Sequence, residues 1–139
     1  MSQADAAQAW TDTLELAPHP EGGKFREVFR SRETIPVAGL PARFTGPRSF
    51  STAIYYLLQG SEFSAWHRIR QDEVWHFYDG THVVLHKISP DGQYQTARLG
   101  RDLQPGVEPM AVVEAGWMFA ATLHERRGYA LVGCTVAPG

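Results

Sequence analysis

Residues 64–80 read SAWHRIRQDEVWHFYDG, and this stretch decides the fold. Two runs rich in aromatic and branched residues, 63–69 and 73–78, flank the polar turn Arg70-Gln71-Asp72, and Asp79-Gly80 closes the second run with a turn signal. Strand side chains alternate between faces. Ala65, His67 and Ile69 therefore share one face, and Glu73, Trp75 and Phe77 share one. Arg68, Val74 and His76 fall on the opposite side. The pattern places an imidazole and a carboxyl group on neighbouring strands among large apolar rings.

Working outward, further runs of this kind recur at 51–58, 82–88, 94–99, 110–113, 117–123 and 129–136, with an earlier one at 25–31. Turn signals separate most of them: Gln59-Gly60, Pro90-Asp91-Gly92, Pro105-Gly106 and Glu114-Ala115-Gly116. Short strands at near-regular spacing predict a sandwich or a closed barrel. One helix is expected over residues 1–16, capped by Ser2, with Ala6, Ala9, Trp10, Thr13 and Leu14 on one face and Pro18 and Pro20 beyond its end. Residues 33–47 hold three prolines and two glycines and read as an irregular loop, a lid or a disordered excursion.

The chain has 139 residues, the size of one domain, so residues 1–139 are taken as a single unit. Hydrophobic residues at 43% and charged residues at 20% mark a globular chain. With a net charge of −2 and no Lys/Arg strip, nucleic acid is not expected as a partner. No apolar run approaches the ~18 residues of a membrane helix, and the start MSQADAAQAW lacks the pattern of a signal peptide, so a cytoplasmic location is the default expectation. The single cysteine, Cys134, lies in an apolar run and reads as a buried small hydrophobe.

The central stretch resembles the first motif of the cupins, H-x-H, three or four residues, E, six residues, G. Here it runs His67-Arg68-Ile69, three residues, Glu73, six residues, Gly80, with Ile69 in place of the second histidine. Glu114-Ala115-Gly116-Trp117-Met118-Phe119 resembles the second motif, P-x-G, two residues, H, with Phe119 in the histidine's place. The blocks Leu16-Ala17-Pro18-His19-Pro20-Glu21-Gly22-Gly23, Thr52-Ala53-Ile54-Tyr55-Tyr56-Leu57-Leu58, Asp72-Glu73-Val74-Trp75-His76-Phe77-Tyr78-Asp79-Gly80 and Gly133-Cys134-Thr135-Val136-Ala137-Pro138-Gly139 are similar to the small single-domain cupin-5 subgroup. That resemblance covers the chain from about Leu16 onward. It implies an all-β, cupin-type jelly-roll barrel, similar in fold to sugar-nucleotide epimerases, with a homodimer paired through the N-terminal strand. Members of the subgroup usually continue past Pro-Gly, so a short final edge strand is expected. They also tend to carry Trp-Gln where this chain has Met118-Phe119, which makes the lining greasier here.

If the barrel forms, the odd-numbered residues of 63–69 and 73–78 point into it. Glu73 among Trp75, Phe77 and Phe119 would be desolvated, which raises a carboxyl pKa toward neutrality and suits proton transfer with His67. The plainer alternative is a Glu73–His67 hydrogen bond that only closes the barrel mouth. Trp75, Phe77, Phe119, Ile69, Tyr55 and Arg26 are the candidate ligand contacts. Tyr55 and Tyr56 face opposite sides, and the sequence does not say which lines the pocket. Arg26 and Arg30 alternate on one face and either hold an acidic ligand or are surface charge.

A catalytic metal needs three or four ligands, and the motif positions offer only His67 and Glu73, so no cofactor is expected and a divalent metal is disfavoured. His76 has the wrong parity, and His82, His86 and His124 fall at or near solvent-facing turns by pattern. His19 reads as a turn-locking residue against a ligand contact, and Gly22-Gly23 as a tight turn against a phosphate cradle. Three functional classes stay open: a metal-independent sugar isomerase or epimerase, a non-catalytic binder of a small polar or carbohydrate-like metabolite, and a metal-assisted enzyme.

Overall fold

In the computed structural model, which describes residues 1–139, thirteen strands follow one helix. The helix is α1 (Gln3–Thr13). The strands are β1 (Ala17–Pro18), β2 (Lys24–Arg30), β3 (Thr34–Ile35), β4 (Arg48–Ser49), β5 (Thr52–Gln59), β6 (Phe63–Arg68) and β7 (Asp72–Gly80), then β8 (Val83–Ile88), β9 (Tyr94–Leu99), β10 (Val107–Glu108), β11 (Met110–Val113), β12 (Met118–Leu123) and β13 (Tyr129–Ala137).

Two sheets face each other as a jelly roll. The larger has the order β1-β2-β5-β13-β7-β11 and the smaller β10-β9-β8-β12-β6. Alternation explains the core between them: Tyr56 and Leu58 from β5, Trp75 and Phe77 from β7, Val83 and Leu85 from β8, and Phe119 and Ala121 from β12 point inward. The outer face of the larger sheet is covered by α1. Ala7 of the helix, Leu16, Leu57, Tyr129 and Leu131 form a second apolar cluster there. No helix is long and apolar enough to cross a membrane.

The helix is shorter than the sequence suggests. Ser2 does cap it, with Asp5 completing a capping box, but it ends at Thr13 because Glu15 takes a left-handed φ of 55° that turns Leu16 into the second cluster. Residues 33–47 are not a free excursion. Their ends are tied by the β3–β4 ladder, Thr34 opposite Ser49 and Ile35 opposite Arg48, with a 3-10 turn at Val37–Gly39 between. The final strand is neither short nor at an edge: β13 has nine residues and lies between β5 and β7.

One irregularity positions the site. Phe119 pairs with His67 but Ala121 pairs with Ser64, so β6 carries one extra residue against β12, a β-bulge. The alternation of β6 shifts across it. Ser64 is buried and faces inward with His67, so the expected Ala65–His67–Ile69 face is not formed.

Candidate functional site

The strands β5, β6, β7 and β13 and the turn before β2 enclose a cavity of about 30 Å³. His67, Glu73, Trp75, Tyr56, His19 and Cys134 line it, together with Ser64 and Ile54. That volume accommodates roughly one water molecule.

Each polar group in the cavity has a defined partner. His67 Nδ1 lies 2.7 Å from the Ala65 carbonyl oxygen. A carbonyl only accepts, so Nδ1 carries the proton and the neutral ring keeps a lone pair on Nε2. The ring rests on Phe119, centroids 4.1 Å apart. Glu73 Oε1 accepts a 2.6 Å hydrogen bond from the Trp75 indole. Burial is the larger influence on Glu73 and raises its pKa to about 7, while the indole bond works in the opposite direction. Glu73 and His67 do not hydrogen-bond to each other; each is held by its own neighbour.

His19 takes the turn-locking role and also lines the cavity. Its Nδ1 accepts the Glu21 backbone N–H at 2.9 Å, which locks the turn and leaves the neutral ring's proton on Nε2. Its ring also packs edge-on against Phe25 and Tyr56 at 4.7 and 5.3 Å. Burial lowers the His19 pKa. Tyr56 donates a 2.5 Å hydrogen bond to the Gly22 carbonyl, and burial pushes its phenol pKa upward. The turn is tight: Gly22 has φ +112°, and a Cβ there would stand 2.0 Å from the Phe63 carbonyl oxygen. Cys134 is a buried free thiol whose pKa is raised by burial and, less, by the Glu73 charge.

The other candidates lie elsewhere. Phe77 is part of the core and does not line the cavity. Ile69 packs partly against the core and reaches an open groove beyond the end of β6. Tyr55 and Arg26 are corrections. Both sit on the outer face, because Arg26 pairs with Tyr55 while Phe25 pairs with Tyr56. Arg26 donates to the Leu14 carbonyl at 2.8 Å and stacks over the Tyr55 ring at 5.9 Å, so it fastens the helix end. His76 faces outward as its parity requires and bonds Thr135. His86 departs from the turn reading: it lies within β8 and bonds Tyr94 and Thr122.

Of the two tyrosines left open by the sequence, Tyr56 lines the cavity; the lining residues that sequence reasoning missed are Ser64, Ile54 and Cys134. Tyr56, Ile54 and Cys134 were available from strand alternation once the inward face of β5 and β13 was known. Ser64 carried no signal, because a bulge cannot be read from alternation.

A cupin-type metal site would need three or four converging donor atoms. Ile69 and Phe119 offer no donor atom. His19 presents an N–H, His67 presents one lone pair, and one Glu73 oxygen is already engaged. No three His, Cys, Asp or Glu side chains are arranged to hold an ion. This donor set does not fit a resident metal.

Comparison with known proteins agrees with the architecture. The family model described as Cupin superfamily (DUF985), Cupin_5, matches residues 8–139. The crystal structure of a Shewanella oneidensis protein is 37% identical, with TM-score 0.83, over 100% of this chain and 80% of that one. A hypothetical protein from Leishmania major is 30% identical, with TM-score 0.84, over 96% of this chain and 81% of its own. Bacillus subtilis oxalate decarboxylase, at 14% identity and TM-score 0.60 over 89% of this chain and 27% of that one, shares the fold alone. A comparison with proteins of curated function finds no match.

Proposed function

We propose, from the premise that this chain belongs to the Cupin_5 (DUF985) family of the cupin superfamily, that it is a metal-independent acid–base isomerase or epimerase of a small polar, carbohydrate-like molecule. The observation that carries this reading is the pairing of a free imidazole lone pair on His67 with a carboxyl group, Glu73, whose pKa is raised by burial to about 7. Proton removal and return beside a carbonyl require a lone pair to accept the proton and a carboxyl group able to hold one near working pH, and Glu73 is such a group. His67 Nε2 takes the proton from the carbon next to the carbonyl, the electron pair moves into the enolate, and protonated Glu73 returns a proton to carbon. Trp75 holds Glu73 in place.

The cavity volume of about 30 Å³ restricts what enters to the reacting end of the ligand. The same small volume favours a second reading, a non-catalytic binder of a small metabolite. Proton exchange separates the two. In D₂O, a panel of aldoses, ketoses and their derivatives is followed by proton NMR for loss of the signal beside the carbonyl. The catalytic reading expects exchange with at least one compound, slowed about 10²–10⁴-fold in His67→Ala. Absence of exchange with a compound that raises the melting temperature establishes the binder instead.

The free edge of β2 supports a homodimer. The short β1 strand covers only Lys24 and Phe25, which leaves Val28 and Phe29 exposed along the remainder.

A further inference from the structure

A second concavity of about 770 Å³ opens beyond the His67–Glu73 cavity, and its lining is dominated by guanidinium groups. Arg43, Arg48, Arg68 and Arg70 line it with Gln71 and Gly116. No carboxylate is among the lining residues. Four of the chain's thirteen basic residues thus gather at one groove in a molecule of net charge −2.

The groove is assembled from three segments that are fastened together. Arg43 Nε donates to the Arg70 carbonyl oxygen at 2.7 Å, joining the 33–47 segment to the β6–β7 turn. The Gly116 N–H donates to the Ile69 carbonyl at 3.0 Å, joining the β11–β12 turn to the same place. Arg43 and Arg48 both lie over the buried Phe44 ring, 5.0 and 5.4 Å from its centroid, which fixes where their charges stand.

These charges are uncompensated. None of the four arginines forms a salt bridge within the chain. Of the carboxylates nearest in sequence, Asp72 stands at the edge of the groove, where it accepts the N–H of the lining residue Ala115 at 2.8 Å and pairs with none of the arginines, and Glu114 pairs with Lys87 at 3.3 Å. Like charges gathered without a counter-charge repel, and a multiply charged oxyanion relieves that repulsion while matching the guanidinium donors.

The groove also adjoins the reactive cavity. Ile69 follows His67 by two residues, and Gln71 precedes Glu73 by two. Arg68, directly after His67, also lines the groove, so at ~3.3 Å per extended residue the chain separates groove from cavity by at most about 7 Å. We propose that this arginine groove binds the phosphoryl group of a small phosphorylated metabolite whose uncharged end reaches the His67–Glu73 cavity. The second half rests on the acid–base reading; the anion site itself stands without it.

The test is calorimetric titration of the full chain with inorganic pyrophosphate at low salt. Saturable one-to-one binding is expected. It should weaken at least tenfold in Arg68→Gln/Arg70→Gln, whose side chains make no bond within the chain, and again in Arg43→Gln/Arg48→Gln. Rising salt should weaken it, and His67→Ala should leave it unchanged. Melting temperatures of the variants show whether the 33–47 segment stays fastened. Absence of pyrophosphate binding up to ~10 mM, or equal binding by both double variants, overturns the anion site, whatever the proton-exchange result. Much tighter binding of a single-stranded RNA through the same arginines overturns the small-molecule assignment. Phosphorylated compounds that bind normally yet exchange no faster than their unphosphorylated counterparts overturn the link to the cavity alone.

Discussion

The indole N–H of Trp75 donates a 2.6 Å hydrogen bond to the carboxyl group of Glu73, two residues earlier on the same face of the same strand. The bond fixes the carboxyl group against the barrel interior without neutralising it. An N–H donor favours the ionised form, yet burial outweighs it and the pKa stands at about 7. The same tryptophan therefore positions a proton donor and limits how far its acidity falls.

A consequence for stability follows from the sign of that shift. The folded-state pKa of about 7 exceeds the ordinary value of 4.5, so the native state holds the proton more tightly than the unfolded chain. Glu73's favourable contribution is present below about pH 4.5 and is lost as pH rises through about 7. Glu73→Gln keeps an oxygen acceptor for Trp75 and removes the charge. It should raise the melting temperature at pH 8, by an amount equivalent to at most about 3 kcal/mol, and have little effect at pH 5. Equal effects at both pH values would show that Glu73 does not titrate in this range.

Chelation should be without effect. The cavity offers the His67 Nε2 lone pair, one Glu73 oxygen and the Cys134 thiol, held protonated by burial, and no three His, Cys, Asp or Glu side chains converge on one point. A resident ion at 100 times its Kd would add about 2.7 kcal/mol of stability, which a melting curve resolves. Dialysis against EDTA is expected to leave the melting temperature unchanged, and elemental analysis to find well under one ion per chain. One Mn, Fe, Ni or Zn per chain would contradict the donor geometry.

Asp79 fastens the helix to the barrel. Its carboxylate accepts the Tyr129 hydroxyl at 2.5 Å and the Trp10 indole at 3.1 Å, with Arg101 at 3.4 Å. The Tyr129 bond is the main reason its pKa is lowered. A lowered carboxyl pKa gives stability that is full above the unfolded value of about 3.9 and is lost as pH falls below it. Asp79→Ala should cost about 1–3 kcal/mol at pH 7 in urea unfolding. That cost should shrink toward pH 3. A cost independent of pH would assign the effect to packing of Trp10 instead.

The contrast between legible and illegible parts of this molecule is physical. Strand alternation identified His67, Glu73 and Trp75, because period two is enforced by the pleat. It erred at Ala65, because a bulge adds one residue without any compositional mark. Arg26 and Tyr55 looked like pocket residues, but parity alone does not say which face of β2 and β5 is inside. That depended on the pairing of Phe25 with Tyr56. The arginine groove was hidden most completely. Arg43 and Arg48 lie more than twenty residues before Arg70 and meet it only through the Arg43 side chain's hydrogen bond to the Arg70 carbonyl and the Phe44 ring.

The exposed part of β2 supplies a last expectation. β1 pairs only with Lys24 and Phe25, and a bulge between Glu27 and Phe29 disturbs the pairing with β5. Val28 is 47% and Phe29 53% exposed, two large apolar side chains beside unpaired backbone. A free edge of this kind pairs readily with another strand. Light scattering after size-exclusion chromatography should give twice the 15.5 kDa chain mass at micromolar concentration. Phe29→Asp should halve that mass while the circular dichroism spectrum stays unchanged, because the side chain lies outside both apolar clusters. A wild-type monomer at ~100 µM would show that this edge does not pair with a second copy.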